Sequence, residues 1–253
     1  MQDIFKKDQY NFQLVGEPSQ TLQLILLQNQ SVFTNLPYIV YMSKNLKIKK
    51  TKNSWYKSLS SLFYDNPEFI HKIKNQEGAL EYVGISKTMG GKIFGLNPKI
   101  FDGKMIIRFD ALLAYTSEIS IKNHLSQDMQ MRKELWIEGS GDGIIFLQTP
   151  CTLIEKRLSN DEEILVSKNS IVAWSKNIRI TNNTENNSFA NSYYYGWVQA
   201  NVKGPGVVYI EGNGITQEER KKSISNKRIR AFMFMFFFMI VVEIIQMYLE
   251  EFI

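Results

Sequence analysis

Residues 31–48, SVFTNLPYIVYMSKNLKI, lie over residues 163–180, EILVSKNSIVAWSKNIRI, without a gap at an offset of 132 positions. Inside that overlap, IVYMSKNLKI and IVAWSKNIRI share six residues of ten. An internal repeat of this length constrains the fold more than any other feature, because both copies must meet equivalent surroundings. Each copy reads as strand, turn, strand, turn, strand. Ser43, Lys44 and Asn45 fall where the chain reverses, as do Ser175, Lys176 and Asn177; serine favours turns and asparagine tolerates positive φ. Leu46 and Ile48 match Ile178 and Ile180, with Lys47 and Arg179 pointing the other way, the alternation of a strand with one face inward. The expected construction is a duplicated β architecture, with the S-K-N turns structural rather than ligand-binding.

A second echo joins GDGIIFLQ (141–148) to GPGVVYIE (204–211). A phosphate-cradling G-x-G needs a helix after its glycines, so that the helix N-terminus faces the anion. A strand follows each time here, so Gly141, Gly143, Gly204 and Gly206 are expected in hairpin turns that need positive φ.

Short runs rich in Ile, Val, Leu, Tyr and Phe recur every eight to twelve residues between Gly, Asn, Asp, Pro and Ser. They are 22–27, 38–42, 46–50, 104–109, 112–116, 134–138, 143–148, 152–158, 163–167, 170–174, 177–181, 193–202 and 207–211. That spacing predicts a mainly β chain, an antiparallel β-sandwich or prism of duplicated hairpin units, rather than βαβ units. The exception is 54–76. There Leu59, Leu62 and Phe63, then Phe69, Ile70 and Ile73, recur at helical spacing on either side of Pro67, which predicts a short helical insert. The Asn-rich stretch 181–192 reads as a loop.

Residues 231–249, AFMFMFFFMIVVEIIQMYL, are interrupted only by Glu243 and Gln246. Nineteen residues of α-helix span roughly 28 Å, close to the hydrocarbon thickness of a bilayer. Lys221, Lys222, Lys227, Arg228 and Arg230 precede the run, and Glu250 and Glu251 follow it. Charges of opposite sign at the two ends predict one transmembrane helix and a tail-anchored protein. The positive-inside rule puts the large domain on the cytoplasmic or matrix side, its basic flank against anionic lipid headgroups. Glu243, Gln246 and Glu250 share one helix face. Either Glu243 reaches the interface, or this face packs against a polar group of a neighbouring transmembrane helix. The expected organisation is a tail over 1–11, a β domain over 12–215, a basic juxtamembrane segment over 216–230, the helix over 231–249 and an acidic tail over 250–253. The opening MQDIFKKDQYNF lacks the long apolar core of a secretory signal.

Chemistry-bearing motifs are few. One cysteine, Cys151, allows no intrachain disulfide and no cysteine metal cluster, and its apolar setting predicts a buried structural residue. His71 in the insert and His124 in a loop lack metal-ligand spacing, and no G-x-S-x-G elbow occurs. No catalytic, cofactor-binding or metal site is expected. The formal charge of +5 is modest. Lys47, Lys49, Lys50 and Lys52 approach Trp55 and Tyr56 but read as a solvated strand end, so neither DNA nor RNA is expected as a partner.

The run F-x-L-x-G-x-x-S-Q-x-L at 12–22, YIVYMSKN, Gly90–Gly91, G-x-G-D-G-I-I-F-L-Q, EEILVSKNSIVAWSKNIRI and GPGVVYIEG resemble the TRAP-like family of altered inheritance of mitochondria protein 24. The resemblance covers about 12–215; the C-terminal anchor departs from the plain soluble form. It implies a twisted antiparallel β fold, a mitochondrial address and a part in inner-membrane organisation or respiratory-complex upkeep. It carries over no catalytic residue and no RNA binding. The resulting expectation is a non-catalytic, membrane-anchored accessory subunit of an inner-membrane assembly, a respiratory complex or the ATP synthase, without cofactor. The alternatives are a free-standing cristae-organising or assembly scaffold, or a ligand- or RNA-binding module.

Overall fold

The computed structural model describes residues 10–51, 70–87, 91–124, 136–182 and 199–212. The expected transmembrane helix, its basic flank (Lys221, Lys222, Lys227, Arg228, Arg230) and its polar face (Glu243, Gln246, Glu250) lie outside them. Among the described residues no helix is long and apolar enough to cross a membrane.

Nineteen strands occur there: β1 Asn11–Val15, β2 Thr21–Leu26, β3 Ser31–Asn35, β4 Ile39–Met42, β5 Lys47–Lys50, β6 Ile70–Lys74, β7 Glu81–Ile85, β8 Lys92–Leu96, β9 Lys104–Arg108, β10 Leu112–Thr116, β11 Ile119–His124, β12 Trp136–Gly141, β13 Ile145–Thr149, β14 Leu153–Leu158, β15 Glu163–Ser167, β16 Ile171–Ser175, β17 Arg179–Asn182, β18 Gln199–Lys203 and β19 Gly206–Glu211. Every apolar run expected to be a strand overlaps one, although 134–135 and 193–198 of those runs lie outside the described residues, and the ladders among the described strands are antiparallel.

The repeat is threefold, not twofold. Each unit has six strands, in order β2–β7, β8–β13 and β14–β19. The second strand of each unit passes through one 3₁₀ turn into the third. The pairings recur: β3–β6, β5–β6, β4–β7 and β2–β7 in the first unit have counterparts in both others. The ladder between the third and sixth strands skips one residue in each unit, at Val40, Leu113 and Val172. Asn29, Asp102 and Asp161, at φ 66°, 58° and 64°, open the second strand of each unit and lie at matching positions of the repeat. The middle copy, KMIIRFDALLAYTSEISI (104–121), aligns gaplessly with the other two but keeps almost no identities, because strand faces need only apolar character.

The units interlock. The second strand of one pairs with the third strand of the next, β3 with β10 and β9 with β16. The result is two composite six-stranded sheets, β5-β6-β3-β10-β13-β8 and β11-β12-β9-β16-β19-β14, between two terminal sheets, β1-β2-β7-β4 and β15-β18-β17. Three cores separate these four layers. The first, around Leu22, Leu24, Val83 and Phe146, joins the first terminal sheet to the first composite sheet. The second, around Ile107, Tyr115, Ile137 and Ile145, joins the composite sheets. The third, around Ile106, Trp174, Val202 and Val208, joins the second composite sheet to the last terminal sheet. Both composite sheets are therefore apolar on both faces, whereas the simple sandwich expected from alternation has one dry face per sheet.

That two-sidedness explains why the helical reading of 54–76 fails over its described part. Ile70–Lys74 is a strand. Residues three apart in a strand face opposite ways, and Ile70 enters the second core while Ile73 enters the first. Burying each side chain is worth about 1.5–3 kcal/mol, so an apolar spacing of three is as stable in a doubly buried strand as on a helix. Residues 54–69 of that reading, and 183–192 of the Asn-rich loop, lie outside the described residues; Thr181 and Asn182 belong to β17.

Candidate functional site

The turn after the third strand is built alike in all three units. Ser43 Oγ accepts from the Tyr82 amide at 2.9 Å, Thr116 Oγ1 from the Ile144 amide at 3.0 Å and Ser175 Oγ from the Val207 amide at 3.0 Å. The hydroxyl thus ties each turn to the sixth strand of its own unit. Lys44 and Lys176 occupy the tips of the two S-K-N turns. The asparagines do not adopt left-handed φ, as the sequence had suggested; that conformation belongs to Asn29, Asp102 and Asp161. Instead Asn45 Nδ2 donates to Glu81 Oε1 at 3.0 Å and Asn177 Nδ2 to Asp102 Oδ2 at 2.7 Å. Threonine in place of serine at 116 is the one signal in the sequence that could have shown the third turn.

The glycines serve these turns. Gly141 and Gly206 take φ of 126° and 147°; Gly143 and Gly204 do not need left-handed backbone. Close approach explains Gly143 and Gly206, where a Cβ would meet Thr116 Oγ1 at 2.2 Å and Ser175 Oγ at 2.4 Å. At Gly204 it would meet the Ser159 carbonyl oxygen at 2.2 Å. Each of the four thus has a conformational or steric reason to be glycine, and a strand follows each G-x-G.

The two junctions between units differ. Where the second unit meets the third, Arg108 lies buried. Its Nη1 donates to the carbonyls of Asn169 (2.8 Å) and Ile171 (3.2 Å), Nη2 to Glu211 Oε1 (2.8 Å) and Nε to Asp110 Oδ1 (2.6 Å). Burial works against the charge, but Asp110 and Glu211 outweigh it and hold the guanidinium more firmly protonated. Where the first unit meets the second, the same position carries Asn35. The shorter side chain leaves a cavity of about 260 Å³ lined by Phe33, Asn35, Tyr38, Phe109, Leu112 and Tyr115. Phe33 and Tyr115 stack there with centroids 4.9 Å apart and an interplanar angle of 6°. Lys87 Nζ donates to the Asp110 carbonyl, the counterpart of the Asn169 carbonyl that Arg108 holds. The walls can accommodate a small apolar group; the adjoining Lys87 is tied by its amide to Gln148 Oε1 at 2.7 Å and by Nζ to the 3₁₀ turn before β10.

Two tyrosines and one histidine are held in the scaffold. Tyr10 Oη donates to the Ser31 carbonyl at 3.1 Å, with burial raising its pKa. Tyr209 Oη donates to Glu155 at 3.1 Å, and burial together with that carboxylate raises it further. His124 ends β11 opposite Trp136 rather than sitting in a loop, because the ladder with β12 runs to its last residue. Its ring meets Trp174 edge-on at 6.2 Å. His71 lies in β6 opposite Thr34. Cys151 is half-buried in the turn before β14, where the sequence predicted full burial. Among the described residues no three His, Cys, Asp or Glu side chains converge as metal ligands.

The fold is shared with a solved structure, protein SPYM3_0169 from Streptococcus pyogenes. That chain is 16% identical, with a TM-score of 0.66 over 86% of this chain and 99% of the other. No curated protein matches. The profile of the family described as Mitochondrial biogenesis AIM24 matches residues 12–212, from β1 to the residue after β19. The chain therefore belongs to the mitochondrial biogenesis AIM24 family, and with it to a role related to mitochondrial biogenesis.

Proposed function

We propose that the chain is a non-catalytic, membrane-anchored structural protein of the mitochondrial inner membrane. In this reading the four-layer β body is an accessory part of an inner-membrane assembly, a respiratory complex or the ATP synthase. The carrying observation is the apolar run 231–249, with basic residues before it and Glu250 and Glu251 after it, on a chain of this family. Charge asymmetry favours the β body on the matrix side. Two features support a structural rather than catalytic body: buried Arg108 bonds to two backbone carbonyls and to Glu211, and the repeat glycines and hydroxyls serve turns. Import into isolated mitochondria followed by protease protection and native-gel separation tests the reading. A chain that resists carbonate extraction and co-migrates with a large complex is expected; one released by carbonate, or accessible outside the inner membrane, overturns it.

The free-standing scaffold is the second reading. It is favoured by one observation, the two terminal sheets whose edges stop short of the pairing made inside the molecule.

A further inference from the structure

The two terminal sheets are complementary halves. β15-β18-β17 has the order of β9-β12-β11 and β3-β6-β5, the half that each inner composite sheet takes from the earlier unit. The strands β4, β7 and β2 have the order of β10-β13-β8, the half taken from the later unit. In both composite sheets the halves join between the second and third strands of successive units. Among the described residues only β15 and β4 lack that join, and each is the edge of its described sheet. Among the described residues the first terminal sheet shares a core only with the first composite sheet, and the last only with the second. They are the outer layers of the stack.

From this we propose that the chain assembles head to tail with further copies of itself, β15 of one copy pairing antiparallel with β4 of the next to complete a third composite sheet, β17-β18-β15 joined to β4-β7-β2 with β1 beyond β2 at the far edge. The internal joins fix the register. Tyr115 faces Phe33 and Trp174 faces Ile106, so Met42 faces Leu165 of the neighbouring copy, and Tyr41 faces Val166. Burial supports the same arrangement. Leu113 and Val172 are 2% and 0% exposed, whereas their counterpart Val40 is 59% exposed; Ile106 is 4% exposed, its counterpart Leu165 55%. In the assembly Val40 and Tyr41 extend the third core of one copy, and Leu165 extends the first core of the next. Natural sheet edges are blunted by charge. β5 carries Lys47, Lys49 and Lys50, and β14 carries Lys156 and Arg157, yet β4 reads IVYM without a charge and β15 has only Glu163 at its end. Each copy offers one edge of each kind, so the contact is heterologous and repeats into a ring or an open filament.

This inference stands apart from the membrane reading, and its test is run on the full chain in detergent. In a Cys151→Ser background, Met42→Cys and Leu165→Cys chains are mixed under mild oxidation. Directly opposed residues lie about 4.5–5.5 Å apart, within disulfide reach. A cross-linked pair is expected from the mixture and not when Lys49→Cys replaces Met42→Cys. Sedimentation should show oligomers that Val40→Lys and Leu165→Lys each weaken at least tenfold, with the melting temperature of the single chain unchanged. A monomeric wild-type chain, or a disulfide formed only within a Met42→Cys/Leu165→Cys chain, would overturn the proposal.

Discussion

The ring of Tyr41 lies across the backbone of Gly84, its ladder partner. A Cβ on Gly84 would come 2.3 Å from Tyr41 Cε1, and the phenol donates onward to Gln23 at 2.7 Å. The equivalent pairs in the other units are Ala114 with Phe146 and Ala173 with Tyr209. Each pair thus holds one aromatic ring and one small residue, and in the first unit the two have changed strands. Volume-conserving exchanges of this kind cost least.

Gly84→Phe is therefore expected to destabilise the chain by about 1–3 kcal/mol through overpacking. Tyr41→Ala/Gly84→Phe should recover most of that loss. Thermal unfolding of both singles and the double, read as a double-mutant cycle, checks it; additivity of the singles would show that the two positions do not share one ring site.

The turn hydroxyls should differ in worth. Ser175 and Thr116 are 2% and 0% exposed, while Ser43 is half-buried. Ser175→Ala leaves the buried Val207 amide without its acceptor and should cost about 1–3 kcal/mol. Ser43→Ala should cost less, because water can reach the Tyr82 amide. Denaturant midpoints and exchange of the two amides discriminate them, Val207 gaining the larger acceleration.

Arg108→Met removes a cation whose side chain is 8% exposed beside Glu211 at 11%. Uncompensated buried charge typically costs about 3–5 kcal/mol, so Arg108→Met should unfold at much lower denaturant. Adding Glu211→Gln should restore part of the loss. A double variant no more stable than Arg108→Met would assign the role of Arg108 to its two backbone carbonyls instead.

His124 gives a pH dependence. Burial lowers its pKa below the ordinary 6.5, partly opposed by Glu138. The unfolded chain therefore takes up the proton first as pH falls. Stability should be unaffected by this group above about pH 6.5, decline below it and level off beneath the folded pKa. His124→Gln should flatten that part of the curve between pH 7 and 5; an unchanged slope would place its origin elsewhere.

In the apolar run, Glu243→Leu is expected to keep the chain in the carbonate-resistant fraction while reducing its co-migration with a large complex. Unchanged co-migration would remove the partner-helix role of the face formed by Glu243, Gln246 and Glu250.

Local chemistry made the strands and the turns legible from sequence. Alternation at 178–180, where Ile178 and Ile180 are buried and Arg179 is exposed, and the S-K-N pairs required only nearest neighbours along the chain; at 46–48 the expected inward face fails, because Leu46 is buried but Ile48 is 43% exposed on the edge strand β5. The third copy was hidden because Thr116 keeps only the hydroxyl of serine, and the few identities left, Ala114 with Ala173, Ile119 with Ile178 and Ile121 with Ile180, are common apolar residues that do not by themselves signal repetition. Ile70 and Ile73 misled for the opposite reason: their spacing fits a helix face, and only a second layer on the far side of β6 makes it a strand.

The sequence by itself determined that the chain is built of antiparallel strands in repeated hairpins, since side-chain alternation and turn residues act over a few positions. Tertiary structure alone decided that the repeats number three, that their sheets interlock as halves, and that β4 and β15 lie at the edges of the described sheets. Those features depend on which strand edges meet across more than sixty residues, and a ladder of backbone hydrogen bonds leaves no mark on the identity of the side chains it joins.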